Sequence, residues 1–418
     1  MGVIAPRFAR VEPRRHARQL VLGLMAELPR LNCWTLAEHA GHATPDALQH
    51  LLGRAKWDAD AIRDDLRGYV MEHLGDVGGV LVVDETGDVK KGNATVGVQR
   101  QYTGTAGRIE NAQVAVYLVY AGSGACTFLD RALYLPKCWT SDPARMTAAG
   151  VPDDTQFATK PALARQMIDA ALDGGVTAAY VTGDEVYGAD TALRTGLQER
   201  GLGYVLAVAR SHRVRTRIGQ RRAIDLAVRL PGHAWQRLSA GHGAHGERWY
   251  DWTWIDIHEH GAGCHGLLIR RNRSSGQMAF YRTCTPRPVP LAELVRVAGI
   301  RWNVEEDFQT GKELTALDEH QVRRWTSWHR WTILAMLAHA FLTVITAQQR
   351  PPEPQALAPD TPLPALIPLT RNEIRHLFIQ LAHHIQHTAG FILSWSIWRR
   401  HRQSGARAAH YRRQARNQ

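Results

Sequence analysis

Two apolar runs, each ending in an aspartate, constrain this chain more than any other feature. Gly79-Val-Leu-Val-Val-Asp84 and Ala178-Ala-Tyr-Val-Thr-Gly-Asp184 are continuous rather than alternating in hydrophobicity. A strand that is wet on one face alternates, whereas a continuous run is buried on both, as at the centre of a sheet covered by helices. The pattern predicts an α/β domain with Asp84 and Asp184 at the C-terminal ends of buried strands. That edge is where open α/β sheets bind ligands. A carboxylate there is not apolar filler; it must be paired, solvated or metal-bound.

The texture on either side completes an architecture. Residues 1–76 form a helical N-terminal region, with a helical spread of leucines over 15–75 and a capping-box pattern at Thr35-Leu-Ala-Glu38. A DNA-binding or dimerisation module fits this region, and so does a structural cap. Residues 77–210 supply strands at 79–84, 114–120, 127–134, 178–184 and 204–209, with helices at 160–173 and 189–200. The resulting βββαβαβ order is that of an RNase H-like core. Residues 211–290 read as a β-rich insertion, opening on Arg213 and Arg215 and containing alternating Trp249, Trp252 and Trp254. These tryptophans are either strand core or stacking platforms for bases. Residues 291–350 return to helical texture, residues 351–369 are a proline-rich linker, and residues 370–418 form a C-terminal helix to about 400 followed by a basic tail expected to be disordered.

Charge points to the partner. Lys and Arg number 51 against 39 Asp and Glu, a formal net charge of +12. Such a surplus favours a polyanion, because each cation near a phosphate releases a condensed counterion. The candidate DNA contacts are Lys90, Lys91 and Arg108 in the glycine-rich segment after Asp84, and Arg213 and Arg215 in the insertion. The five cysteines are scattered without C-x-x-C spacing, which argues against a disulfide scaffold or structural zinc and for a reducing compartment. No apolar core follows the N-terminal arginines, so no secretory signal is read there. The longest apolar run, 331–346, falls short of the ~20 residues that span a bilayer and reads as a buried helix, not a membrane segment.

A third acid joins the two aspartates. In Arg301-Trp-Asn-Val-Glu305-Glu-Asp-Phe-Gln-Thr-Gly-Lys312, helical spacing puts Arg301, Glu305 and Lys312 on one stripe, with Glu306 about 100° away. A carboxylate flanked by two cations suits a metal ion contacting a phosphate diester. Hydrolysis or transesterification of DNA needs an activated nucleophile and a stabilised leaving oxygen, and two divalent ions supply both. Mg²⁺ is held by a few carboxylates plus substrate phosphate and water, so three acids from distant segments suffice. Each acid also has a structural reading. Asp84 and Asp184 could cap turns, Glu305 could pair only with Arg301, and Glu85, Glu185, Glu306 and Asp307 are neighbouring competitors. Tyr187 is read as a positioning group rather than a covalent nucleophile.

With these residues in view, the chain from about 15 to about 395 resembles the DDE transposases of bacterial insertion sequences, the IS four superfamily, and within it the IS seven-zero-one branch. The family's last motif is Tyr-x2-Arg-x3-Glu-x6-Lys. Arg301, Glu305 and Lys312 stand at its spacing, and Ala298 stands where the family has tyrosine. Val83-Asp84-Glu85-Thr86-Gly87 with Lys90-Lys91-Gly92, and Gly183-Asp184-Glu185-Val186-Tyr187-Gly188, look like the branch's regions around its two aspartates. The resemblance implies an RNase H-like catalytic domain with a β insertion. Asp84, Asp184 and Glu305 would be catalytic metal ligands for Mg²⁺ or Mn²⁺, two ions in all, with Arg301 and Lys312 on the DNA backbone. It further implies cleavage at terminal inverted repeats, strand transfer to target DNA, and a homodimer or larger synaptic complex in the bacterial cytoplasm at the nucleoid. A catalytically silent DNA-binding derivative and another RNase H-like nuclease are the alternatives.

Overall fold

The structure, a computed structural model, describes residues 2–349 and 368–416, apart from 123, 218, 244, 245, 260 and 384. The proline-rich segment therefore lies, up to residue 367, outside the described residues.

The chain opens with helices α1 (Val11–Leu24), α2 (Cys33–His39), α3 (Asp46–Gly53) and α4 (Ala59–Leu74). The N-terminus of α2 is set by Asn32, whose side chain accepts from the amides of Trp34 and Thr35. Thr35 is thus the returning partner of the capping box, not its first residue, and Glu38 instead pairs with Arg399. There follow strands β1 (Val80–Val89), β2 (Gln99–Thr103), β3 (Arg108–Gly122) and β4 (Ala125–Leu133), then helices α5 (Lys137–Thr140), α6 (Pro143–Ala149) and α7 (Lys160–Asp173). Next come β5 (Tyr180–Gly183), α8 (Glu185–Gly188), α9 (Thr191–Glu199) and β6 (Gly203–Val208). β1 runs antiparallel to β3, β3 antiparallel to β4, and β1, β5 and β6 run parallel. That strand order and sense are those of an RNase H-like core.

Val80, Leu81, Val82 and Val83 are fully buried, as the continuous apolar run requires. The strand does not stop at Asp84. It continues to Val89, because β3 goes on pairing with it after the parallel partner β5 has ended at the level of Val83. Asp84 is the first residue of β1 beyond that partner, so it lies on the ligand-binding edge although it is within a strand.

The insertion begins with β7 (Arg213–Thr216), β8 (Gly219–Arg222) and α10 (Ala223–Ala227), followed by β9 (Gln236–Gly243), β10 (Gly246–Asp256), β11 (Cys264–Arg271) and β12 (Met278–Thr285). The last four are not a separate layer. β12 pairs antiparallel with β6 and extends the core into one ten-stranded sheet. Trp252 is 1% exposed and belongs to the core, whereas Trp249 and Trp254 are exposed.

Helices α11 (Leu291–Ile300), α12 (Asn303–Thr315) and α13 (Trp325–Gln348) return across the sheet. The 24-residue α13 is longer than its apolar run and long and apolar enough to cross a membrane, but 78% of its apolar window is buried inside the fold, where it packs on β4, α4 and α1. The N-terminal helices share this same core, and the Arg67–Asp130 pair, both side chains 4% exposed, fastens α4 to β4. The chain ends in α14 (Arg371–Ala382) and α15 (Ala389–Arg416). The basic tail read as disordered is thus helical as far as Arg416, anchored by buried Trp395 and by a Trp398–Trp34 ring contact.

Candidate active site

Asp84 and Asp184 meet at one edge of the parallel strands, since Val83 and Gly183 are register partners and each aspartate is the next residue. Close approach at this point needs glycine. A Cβ on Gly183 would lie 2.7 Å from Val83 Cγ2, and one on Gly188 would run into the carbonyl oxygen of Ala207. Asp184 caps α8, its Oδ1 accepting from the Val186 amide at 2.9 Å. Asp84 Oδ1 accepts from the Glu85 amide at 2.8 Å, and its Oδ2 accepts from Arg301 Nη1 at 3.2 Å. Burial pushes the Asp84 carboxyl up to about 7, with Arg301 opposing and the Asp184 charge adding to the rise. Asp184 is also raised, first by burial and then by Glu85. Two carboxylates that resist ionisation side by side form a site short of positive charge.

Arg301 is also 4.0 Å from Glu305 Oε1, so one guanidinium links the first aspartate to the glutamate. The expected single helical stripe is in fact bent. α11 ends at Ile300, and Trp302 and Glu305 bond back three residues, to Gly299 and Trp302, before α12 sets in. The three neighbouring acids then point different ways. The Glu305 side chain is 54% exposed beside Arg301, whereas Asp307 is fully buried against Arg371 at 2.6 Å and Glu306 lies 3.8 Å from the same arginine. Lys312, further along α12, donates to Thr86 Oγ1 at 2.8 Å and Thr105 Oγ1 at 3.2 Å. Thr86 lies two residues beyond Asp84 and so on the same face of β1.

Glu85 faces the other way and fastens the edge together. It accepts from Lys160 of α7 and from the Tyr187 hydroxyl, each at 2.6 Å. Tyr187 is fully buried three residues past Asp184, with its hydroxyl on Glu85.

The remaining basic candidates separate by exposure. Lys91 is exposed, and Arg108 is 75% exposed beside Glu110. Arg213 and Arg215 are exposed on β7. Lys90 is not at the surface. Its side chain is 12% exposed, 3.9 Å from Asp88, and donates to the carbonyls of Asp318 and His320. It serves to tie β1 to the loop after α12.

Several residues escaped the sequence reading. A cleft of about 480 Å³ opens beside Asp184 and is lined, besides the expected Arg301, by Arg248, Arg270, Trp302 and Tyr281. Arg248 is held by the carbonyls of Ala240 and Gly299, with its guanidinium 5.7 Å from the exposed Trp302 ring. Arginines inside a strand pattern were the available signal, but only the extension of the sheet through β12 brings them to the aspartates. Thr86 and Thr105 carried no signal of their own.

Among the described residues no three His, Cys, Asp or Glu side chains lie close enough to hold an ion by themselves. The donors at this edge are hard carboxylate oxygens with no histidine or thiolate among them, a set that fits Mg²⁺ or Mn²⁺ completed by substrate phosphate.

A family model described as DDE superfamily endonuclease matches residues 4–239. The match includes Asp84 and Asp184 and ends before Glu305. The chain is 28% identical over 198 residues to "Probable transposase for insertion sequence element IS701" of Microchaete diplosiphon, a match covering 47% of this chain and 49% of that protein. It therefore spans about half the length of that curated relative. Among solved structures, a piggyBac transposase synaptic complex with hairpin DNA aligns over 88% of this chain and 70% of that chain, at 11% identity and a TM-score of 0.45. The NurA nuclease from Sulfolobus solfataricus aligns over 58% of this chain and 79% of that one, at 10% identity and a TM-score of 0.25.

Proposed function

The chain belongs to the DDE superfamily endonuclease family, and from that premise we propose that it is a DNA transposase, cutting at the terminal inverted repeats of an insertion sequence and joining the ends to target DNA. The observation that carries this reading is the convergence of Asp84 and Asp184 on one sheet edge, with Arg301 linking Asp84 to Glu305. Asp84 and Asp184 would hold divalent ions, with Glu305 completing the set. Bound there, the ions would activate the attacking water or 3′-hydroxyl and stabilise the leaving oxygen.

The chain's own residues do the rest. Arg301 and Lys312, which flank Glu305 in the sequence, would contact the DNA backbone near the scissile phosphate. The cleft past Asp184, with Arg248 and Arg270 in its wall, offers a cationic path for one strand. Glu85, Lys160 and Tyr187 keep the two aspartates in register. The working form would be a homodimer or larger synaptic assembly, acting where the chromosome lies.

The test is Mg²⁺-dependent cleavage of a duplex carrying the flanking inverted repeat, by the wild type and by Asp84→Ala, Asp184→Ala and Glu305→Ala. Cutting at the repeat end by wild type, with binding but no cutting by the three variants, supports the reading. Binding without cutting by wild type would make the protein a DNA-binding derivative. Cutting without regard to the repeat would make it a general nuclease.

A further inference from the structure

The insertion starts with a two-stranded ribbon that joins no other strand among the described residues. β7 and β8 pair as Arg213↔Arg222, Val214↔Arg221, Arg215↔Gln220 and Thr216↔Gly219. The ten residues 213–222 include five arginines and no acid. Strand alternation sorts them into two faces. Val214 is 1% exposed and packs with Val208, Ala223, Ile257 and Phe280 in a small second core. Arg213 and Arg215, on either side of it, must face the opposite way, together with their cross-strand partners Arg222 and Gln220. All four are exposed.

The ribbon is fixed at both ends. The Ala223 amide donates to the His212 carbonyl and the His258 amide to the Arg215 carbonyl, each at 2.8 Å. Its position follows from the sheet. The chain leaves β6 just past Val208, at the edge where Asp84 and Asp184 stand, and the ribbon then turns back along the sheet to the far end of β10, where the His258 amide meets the Arg215 carbonyl. A rigid element with its Val214 face docked and its arginine- and glutamine-bearing face turned outward is thus held on the insertion side of the sheet, several strands from the acid cluster.

A two-stranded ribbon fits the major groove of B-DNA, arginines neutralise phosphates, and a glutamine amide can bond the N6 and N7 edge of adenine. We propose that β7–β8 is a groove-reading ribbon that lies in the major groove of the bound duplex, some way along it from the cleavage site. Arg213 and Arg215 sit on the flanking phosphates, and Gln220 meets a base edge. This deepens the reading of the chain as an enzyme of DNA ends and rests on it, but it concerns recognition, not cleavage.

The test is equilibrium binding without divalent ions, over a salt series, to a duplex carrying the terminal repeat and to a scrambled duplex. Arg213→Ala and Arg215→Ala should each flatten the slope of log affinity against log salt by about 0.9 and weaken both duplexes alike, while Arg→Lys at the same positions keeps the slope. Gln220→Ala should keep the slope and lower the preference for the repeat by roughly 5- to 100-fold. Methyl green, which occupies the major groove, should displace the wild type, and distamycin, which occupies the minor groove, should not. Circular dichroism of the variants should match wild type, since all three positions are exposed.

A double Arg213→Ala, Arg215→Ala variant with wild-type affinity and slope would overturn the inference and leave the endonuclease reading standing. An unchanged preference in Gln220→Ala would overturn the base contact, and competition by distamycin alone would overturn the groove. Failure of the wild type to bind either duplex would overturn both readings.

Discussion

Arg301 Nη1 lies 3.2 Å from Asp84 Oδ2, so the first carboxylate of the cluster already has a cation beside it. Arg301 holds down a carboxyl that burial has pushed up to about 7. A metal ligand must be ionised to bind. Removing the guanidinium raises the Asp84 carboxyl further and shifts the onset of ion binding to higher pH. Arg301→Gln should therefore move the acidic limb of the cleavage pH profile upward by about half a unit to one unit, beyond any drop in maximal rate. An unshifted limb would show that Arg301 does not act on Asp84 in the working complex.

The same raised carboxyl has a consequence for stability. An acid with a higher pKa folded than unfolded disfavours folding wherever the unfolded chain is ionised. For Asp84 that penalty is full above about pH 7 and fades as the pH falls from 7 towards the ordinary aspartate value of 3.8. Asp84→Asn should stabilise the metal-free protein at pH 8 by on the order of 1–3 kcal/mol, the upper end reduced because Arg301 loses its partner. The gain should vanish by about pH 4. Mg²⁺ or Mn²⁺ should raise the Tm of wild type at pH 8 and leave that of the variant nearly unchanged. Thermal melts with and without the ion decide both points.

Glu305 and its neighbours make a second comparison. Glu305→Gln should lower the cleavage rate by about 10²–10³-fold with DNA affinity kept, a loss of the size seen when one charge-stabilising group is removed. Glu306→Gln, whose side chain is 68% exposed towards Arg371, should stay within about two-fold of wild type. If Glu306→Gln abolished cleavage and Glu305→Gln did not, the third ligand would be misassigned.

Lys90 and Lys91 are adjacent in the chain and opposite in environment. Lys90→Ala leaves Asp88 without its cation and two carbonyls without a donor, and should cost about 1–3 kcal/mol in urea unfolding. Lys91→Ala should leave stability unchanged and flatten the salt dependence of DNA binding if Lys91 meets a phosphate. The reverse pattern would exchange their roles.

These cases also mark what was legible in the sequence. Asp84 and Asp184 could be read because burial on both faces leaves a local trace, an unbroken apolar run with one acid at its end. Glu305 could be read from the helical spacing of Arg301 and Lys312, although Arg301 stands before α12 begins. The bend at Trp302 could not, since it depends on packing that local spacing does not encode. Strand β1 runs on through Glu85 and Asp88 only because β3 pairs with it there, and the burial of Lys90 depends on carbonyls more than 200 residues away. Propensity sees neither partner. The insertion was recognisable as β-rich, but its continuity with the core sheet rests on the pairing of β12 with β6, seventy-odd residues apart in sequence.

The least legible contact gives the sharpest expectation. Asp307, two residues from Glu305, is fully buried, and its carboxyl is pushed up to about 6 by burial despite Arg371 at 2.6 Å. Arg371 also donates to His339 at 2.8 Å and Thr310 at 3.1 Å, so the start of α14 is pinned to the helix that carries the candidate third ligand. Breaking such a pair leaves a buried charge unpaired, whereas replacing both partners with apolar groups often costs little. Arg371→Met should therefore destabilise by about 3–5 kcal/mol. Adding Asp307→Leu to Arg371→Met should recover most of that loss. If cleavage measured well below the Tm stays low in the single variant and returns in the double, the pair acts by setting the position of α12, and so of Glu305. If the double variant is stable but no more active than the single, the charge itself is needed, and α14 belongs to the catalytic apparatus rather than to its support.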